Sequence, residues 1–250
     1  GLTVGEHYDL YGSDEGINPS AAFDQAKYMA DKLAQLQKTE PDAEWTAAKV
    51  QEAFDDAGLT PLEHYLLYGK SEGLTPRPVV ETFAFTANVD TLTGTDGNDT
   101  FSGVIGYLPG ETTINQYDSV DGGAGTDTVV VNATSDVKEL QNVTAKSIEQ
   151  LTINATYASV DDDVTGWADL EGITISGATG VSLAAGDKVK SLTLDGVDGA
   201  VAVTADNLAS VSLSDMASTD VTLTADFAAS MNVNLDDVKG TLELGNSVKT

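Results

Sequence analysis

Two short stretches carry the residue types that could do chemistry. One runs Asp90-Thr-Leu-Thr-Gly94-Thr-Asp96-Gly97-Asn98-Asp99-Thr-Phe101, the other Asp118-Ser-Val-Asp121-Gly122-Gly123-Ala-Gly125-Thr-Asp127-Thr-Val129. Both mix glycine with acid and run straight into a β-branched or aromatic strand. Glycine lets successive carbonyls turn inward at backbone angles other residues avoid, and aspartate adds an anionic oxygen. Together they suit a hard divalent cation, Ca2+ first. The same residues also build a plain glycine-rich corner in which each Asp closes an Asx turn.

The elements around these stretches must place them, and the chain is long enough, at 250 residues, for one large or two modest domains. Lys and Arg total 12 against 40 Asp and Glu, a formal charge of -28. A surface so acidic repels phosphate backbones and anionic headgroups, so neither nucleic acid nor a membrane is an expected partner. It also repels itself unless cations neutralise part of it, which again points to calcium. There is no cysteine, hence no disulfide and no thiolate metal site. No apolar run is long enough to span a bilayer, and no signal peptide opens the chain.

Residues 1–19, GLTVGEHYDLYGSDEGINP, match residues 58–76, GLTPLEHYLLYGKSEGLTP, at a period of 57. Each copy reads as a short helix opened by a capping box, Thr3 with Glu6 and Thr60 with Glu63, with Pro61 at the first helical position. Gly12 and Gly69 suit the helix C-termini. Between the copies, Phe23, Ala26, Tyr28, Met29, Leu33 and Leu36 recur at helical spacing, and EWTAAKVQEAFDDAG ends a second helix at Gly58. Residues 1–77 are therefore a helical module ending at Arg77-Pro78. His7 and His64 share a repeat position beside Tyr8 and Tyr65, which argues for packing rather than for a metal or a reaction. This module resembles the small HYxxYGxxEG repeats of large secreted bacterial proteins.

From about residue 148 a strand series appears: LTI (151–153), ITI (173–175), LTL (192–194), VSL (211–213) and MNV (231–233). A second falls between its members: VSL (181–183), VAV (201–203), VTL (221–223) and LEL (242–244). Two strands per turn of roughly 20 residues are the mark of a flattened parallel β-solenoid. Ile148, Leu170, Val189 and Leu208, three residues before the first series, are expected inside. An antiparallel sandwich is the competing reading. Ser247–Thr250 resemble Lys188–Ser191 at the start of a turn, so the parent chain is expected to continue.

The two acidic stretches fit the nine-residue pattern GGxGxDxUx, with Thr95 replacing the second glycine in the first copy, and residues 84–132 resemble the RTX calcium repeats of bacterial S-layer and related large surface proteins. The resemblance implies calcium at Asp90, Asp96, Gly97, Asn98 and Asp99 in the first copy. In the second it implies Asp118, Asp121, Gly123, Gly125 and Asp127. RTX motifs follow one another every nine residues, whereas Asp99 and Asp127 lie 28 apart. A stacked calcium ladder is therefore not expected. Either each turn recruits nearby acids, or the two turns sit side by side and share a cluster; the sequence favours a local clamp joining domains.

The expected architecture is multidomain: an all-α module (1–77), an RTX-like β region (78–145) and a parallel β-solenoid (146–250). HExxH, GxSxG, P-loop and dinucleotide fingerprints are absent, so no enzyme is expected. The run Asp161-Asp162-Asp163 reads as a solvated or calcium-binding loop. The expected function is a calcium-dependent, self-assembling structural protein at the surface of a Gram-negative bacterium, exported by type I secretion. Its partner is its own copies, with cell-surface polysaccharide a further candidate. An adhesin scaffold and a secreted polysaccharide-active enzyme are the alternatives.

Overall fold

The computed structural model describes residues 7–19, 23–76, 80–108, 110–217, 220–224 and 232–245. The chain divides into two compact units, Gly1–Val79 and Val80–Thr250. The Thr3–Glu6 box, Arg77-Pro78, Met231 of the MNV triplet and the segment 247–250 lie outside the described residues.

In the first unit, α1 (Gln25–Thr39) starts at Asp24, whose carboxylate accepts from Lys27 N, and α2 (Ala47–Ala57) starts at Thr46 and stops at left-handed Gly58. A third, one-turn helix, α3 (Pro61–His64), opens with the expected reciprocal capping box between Thr60 and Glu63 and continues as a π-helical turn, Tyr65–Gly69. Phe23, Tyr28, Val50 and Phe54 form the core. His64 packs into it: its Nδ1 lies 2.7 Å from Tyr28 Oη and its ring 4.7 Å from that of Phe54. Burial pushes the His64 pKa down. His7 is exposed and stands beside Tyr11. The two histidines differ because His64 follows a helix that supplies Phe54. Gly12 and Gly69 end the π-helical turns Tyr8–Gly12 and Tyr65–Gly69, as expected, and the left-handed glycines of the repeat, Gly16 and Gly73, follow them; a Cβ on Gly69 would strike Tyr28 Oη.

The second unit is a parallel β-solenoid. Its long sheet stacks β1 (Thr82–Ala84), β3 (Thr100–Ile105), β5 (Thr128–Ala133), β7 (Gln150–Ala155), β9 (Gly172–Ser176), β11 (Ser191–Asp195), β13 (Ser210–Ser214) and β15 (Asn232–Asp236). A five-stranded sheet holds β8 (Val160–Val164), β10 (Val181–Ala185), β12 (Val201–Ala205), β14 (Val221–Thr224) and β16 (Leu242–Gly245). In the earliest coils a three-stranded sheet of β2 (Thr91–Thr93), β4 (Ser119–Asp121) and β6 (Thr144–Lys146) forms a further side just ahead of the long sheet, while Val137, between β5 and β6, bridges to Val160 of the five-stranded sheet. Every pairing is parallel, which rules out the sandwich. The ladder starts at β1 and runs without a break past residue 146.

Alternation sets the inside. Leu151, Ile173, Leu192 and Val211 stack in register, as do Ile153, Ile175, Leu194 and Leu213, and all are buried. Each such side chain contributes about 1.5–3 kcal/mol. Ile148, Leu170, Val189 and Leu208 are buried at the corners, as expected. The final coil is shifted from the sequence reading: Val211 pairs with Val233 and Leu213 with Leu235, two residues beyond the MNV triplet. Among the described residues, no helix is long and apolar enough to cross a membrane.

Candidate functional site

The two acidic stretches are corners of neighbouring coils. The first corner links β2 to β3 and the second links β4 to β5. Because Thr93 pairs with Asp121 and Thr100 with Thr128, the corners stack directly. Gly94 N donates to Asp121 O (2.8 Å), Ala124 N to Thr95 O (3.1 Å) and Thr126 N to Asn98 Oδ1 (2.9 Å). The intervening chain loops out and leaves the turns side by side. Gly123 and Gly125 have φ of 97° and 121°, and a Cβ on either would collide with the carbonyl of Thr95 or Gly97 below. Both glycines are thus required twice, by conformation and by close approach.

The acids do not all converge. Asp99 and Asp127 are fully buried and belong to one column that stands just before the strands of the long sheet. Asp99 Oδ1 accepts from Glu81 N (2.6 Å), Asp127 Oδ1 from Asp99 N (2.7 Å), and Glu149 Oε2 from Asp127 N (2.8 Å). Each carboxylate therefore closes the backbone N–H of its counterpart one coil earlier. Asp118 is buried separately: it accepts from Asp90 N at 2.9 Å and Asn115 N at 2.7 Å, while Asp90 holds Thr86. Asp121 pairs with Lys146 Nζ at 2.5 Å, and this bond holds its carboxyl below the ordinary range. Asp96 and Asn98 are exposed at the tip of the first turn, with Gly97 buried between them.

The two turns differ in how the second carboxylate oxygen is held, and the N–H of Gly123 turns to Asp121 Oδ1 (3.3 Å). Asp99 Oδ2 accepts from both Thr95 N (2.5 Å) and Thr95 Oγ1 (2.9 Å). The residue in the place of Thr95 in the second turn is Gly123, which has no hydroxyl. Asp127 Oδ2 is buried with no hydrogen-bond partner, alone in this among the buried side-chain oxygens and nitrogens of the described residues. A Cβ on Gly122 would meet this oxygen and the carbonyl of Ser147, so both atoms crowd the space the glycine leaves. Burial raises the Asp127 pKa, and the charges of Glu149, Asp99 and Asp121 push the same way. Among the described residues, no three acidic or histidine side chains form a group that could hold a metal by themselves. Any cation at the second turn would need carbonyl oxygens as well, which Ca2+ accepts readily.

Sequence reasoning missed Glu81 and Glu149, whose signal was their place one residue before a strand. It also missed an acid–base alternation up one corner: Lys146 pairs with Asp121, Asp169 accepts from Ser147 N, and Lys188 pairs with Asp169 at 2.8 Å. The run Asp161–Asp163 is no loop. It lies in β8, with Asp161 and Asp163 outward and Asp162 inward. Asp162 accepts from Leu140 N (2.8 Å) and Gln141 N (3.1 Å), capping a 3-10 turn at Leu140–Asn142, and burial raises its pKa. Compared with known proteins, the chain matches no family model, no curated protein and no solved structure.

Proposed function

We propose that the chain is a stiff section of an extracellular structural protein that assembles with its own copies into a calcium-dependent surface layer, filament or matrix, and that it carries no catalytic centre. The observation that carries this reading is the uninterrupted parallel ladder from β1 to β15, a form suited to bearing and transmitting contacts along an axis. Calcium enters through Asp127 Oδ2. A buried carboxylate oxygen without a donor, beside the Ser147 carbonyl and among other acids, is a place where a cation would satisfy an otherwise costly group. Asp127 and Ser147 O would hold it, and the ion would supply positive charge and coordination to a surface of formal charge -28. The resemblance to RTX surface proteins agrees with an exported protein that meets calcium only outside the cell.

The test is a calcium titration of the purified chain, followed by thermal unfolding, circular dichroism and electron microscopy, with chelator reversal. Magnesium and NaCl at matched ionic strength serve as controls, since plain screening also relieves self-repulsion. Calcium should stabilise the fold beyond both controls and bring on ordered assembly. Stability and assembly that follow ionic strength alone would defeat the proposal.

A further inference from the structure

The outward face of the long sheet is built differently from the rest of the solenoid surface. Along β5 to β15 side chains alternate, so the residues between the core positions point out. Register gathers them into columns. The middle column reads Val130, Thr152, Thr174, Thr193, Ser212 and Asn234, each the partner of the next. Beside it run Asn132, Asn154, Ser176, Asp195, Ser214 and Asp236, and the third column, from Thr128 to Asn232, is uncharged. Asp195 and Asp236 are thus the only charged side chains on this face, in a chain of formal charge -28. Acids stand instead at its border, as Glu149 and Glu171, and on the opposite sheet, as Asp161 and Asp163 of β8.

The polar groups of the face pair among themselves. Asn154 Nδ2 donates to Asn132 Oδ1 (3.1 Å) and Ser176 Oγ to Asn154 Oδ1 (3.3 Å). Ser214 Oγ donates to Asp195 Oδ1 (2.6 Å) and Asn234 Nδ2 to Ser212 Oγ (3.5 Å). A polar group that keeps its hydrogen bond costs little to cover. The methyl groups of Val130 and of the three threonines give the middle column apolar contact as well. Side-chain ladders of this kind allow two sheets to pack face to face without water between them.

We infer that this face is where two copies of the chain meet, sheet against sheet, about a two-fold axis. The inference rests on the self-assembly proposed above and adds the surface that carries it. Charge selects the face. Copies of charge -28 repel one another, and contact costs least where charged side chains are fewest. Periodicity selects the partner. A second copy repeats its columns at the same coil spacing of about 4.8 Å, so the side chains of one sheet meet the gaps of the other in every coil. Six strands at this spacing, each showing about five residues at about 3.3 Å, make a face of roughly 29 by 16 Å, and the contact covers about 900–1,000 Å2 in total. That is the size of a weak interface, which an assembly strengthens by repeating it.

Sedimentation velocity of the full chain in calcium, over a range of protein concentrations, tests it with two substitutions. Thr174→Glu puts a charge at the centre of the face, and Thr204→Glu puts the same charge on the opposite sheet, where Thr204 is exposed on β12. The wild type and Thr204→Glu should associate alike, while Thr174→Glu should weaken association about tenfold. A second measurement is free of the added charge. The chain has no cysteine, so Thr174→Cys and Thr204→Cys each carry one thiol, and a short bis-maleimide should join copies through position 174 only. Matched thermal melts establish that the variants are folded. Association of Thr174→Glu at wild-type strength, or equal cross-linking at both positions, would overturn the inference and leave self-assembly standing. A wild type that stays monomeric at every calcium concentration would defeat both. A monomeric wild type that is retained on microcrystalline cellulose, and released by Thr174→Glu, would assign the face to a polysaccharide and likewise overturn the inference.

Discussion

A carboxylate oxygen buried without a donor destabilises a fold by about 1–3 kcal/mol, and Asp127 Oδ2 is in that position whenever no cation is bound. Asp127→Asn keeps the acceptor for Asp99 N and replaces the orphan oxygen by an N–H beside the Ser147 carbonyl. In chelator at pH 7 this variant should be more stable than the wild type by about 1 kcal/mol, read from urea midpoints, and should no longer gain stability from calcium. The pH dependence has a definite sign. The folded pKa of Asp127 is raised, so its contribution is fully present below the unfolded value and is lost as pH rises through the folded one. Acidification from neutral pH should thus narrow the gap between wild type and Asp127→Asn in chelator. A gap that is constant with pH would mean that Asp127 is ionised at no cost. The resemblance made the second turn the better motif, and its glycines are indeed required; invisible in the sequence was that Thr95, the departure in the first turn, supplies the hydroxyl that closes Asp99.

At the scale of elements, β8 and the 3-10 turn beside it depend on a single inward acid. Asp162 stands in register with Leu183, so Asp162→Leu restores the apolar column while leaving the N–H groups of Leu140 and Gln141 without an acceptor. The variant should lose about 1–3 kcal/mol in urea unfolding at pH 7; equal or greater stability would mean that the cap contributes nothing. Asp162→Asn, which keeps one acceptor, should lose less. The sequence could not reveal this acid, because three identical residues hide any alternation and the donors come from another coil. The strand series of the later coils was legible because apolar residues alternate at a near-constant period. The slip in the last coil has a physical cause. Side-chain direction repeats every two residues, so MNV and VNL present the same face, and only the pairing of Val211 with Val233 separates them. The coils before residue 148 were hidden by strands of three residues and by the loop between β3 and β4.

For the whole molecule, the contrast between fixed ladder and variable corners matters most. The chain between Thr100 and its partner Thr128 is longer than that between Ser191 and Ser210, yet both pairs hold the same register. The extra residues leave at the corner, where Gly110 has φ of 87° and open space around its Cα. Doubling the length of this loop, by inserting a flexible glycine–serine segment at Gly110, should cost only about 0.6 kcal/mol and leave the strand content measured by circular dichroism unchanged; collapse of the melting transition would show that the loop is a structural part of the coil. Physical length is thereby uncoupled from chain length. The solenoid is a ruler graduated in coils of about 4.8 Å, and payload spliced into a corner moves none of its marks.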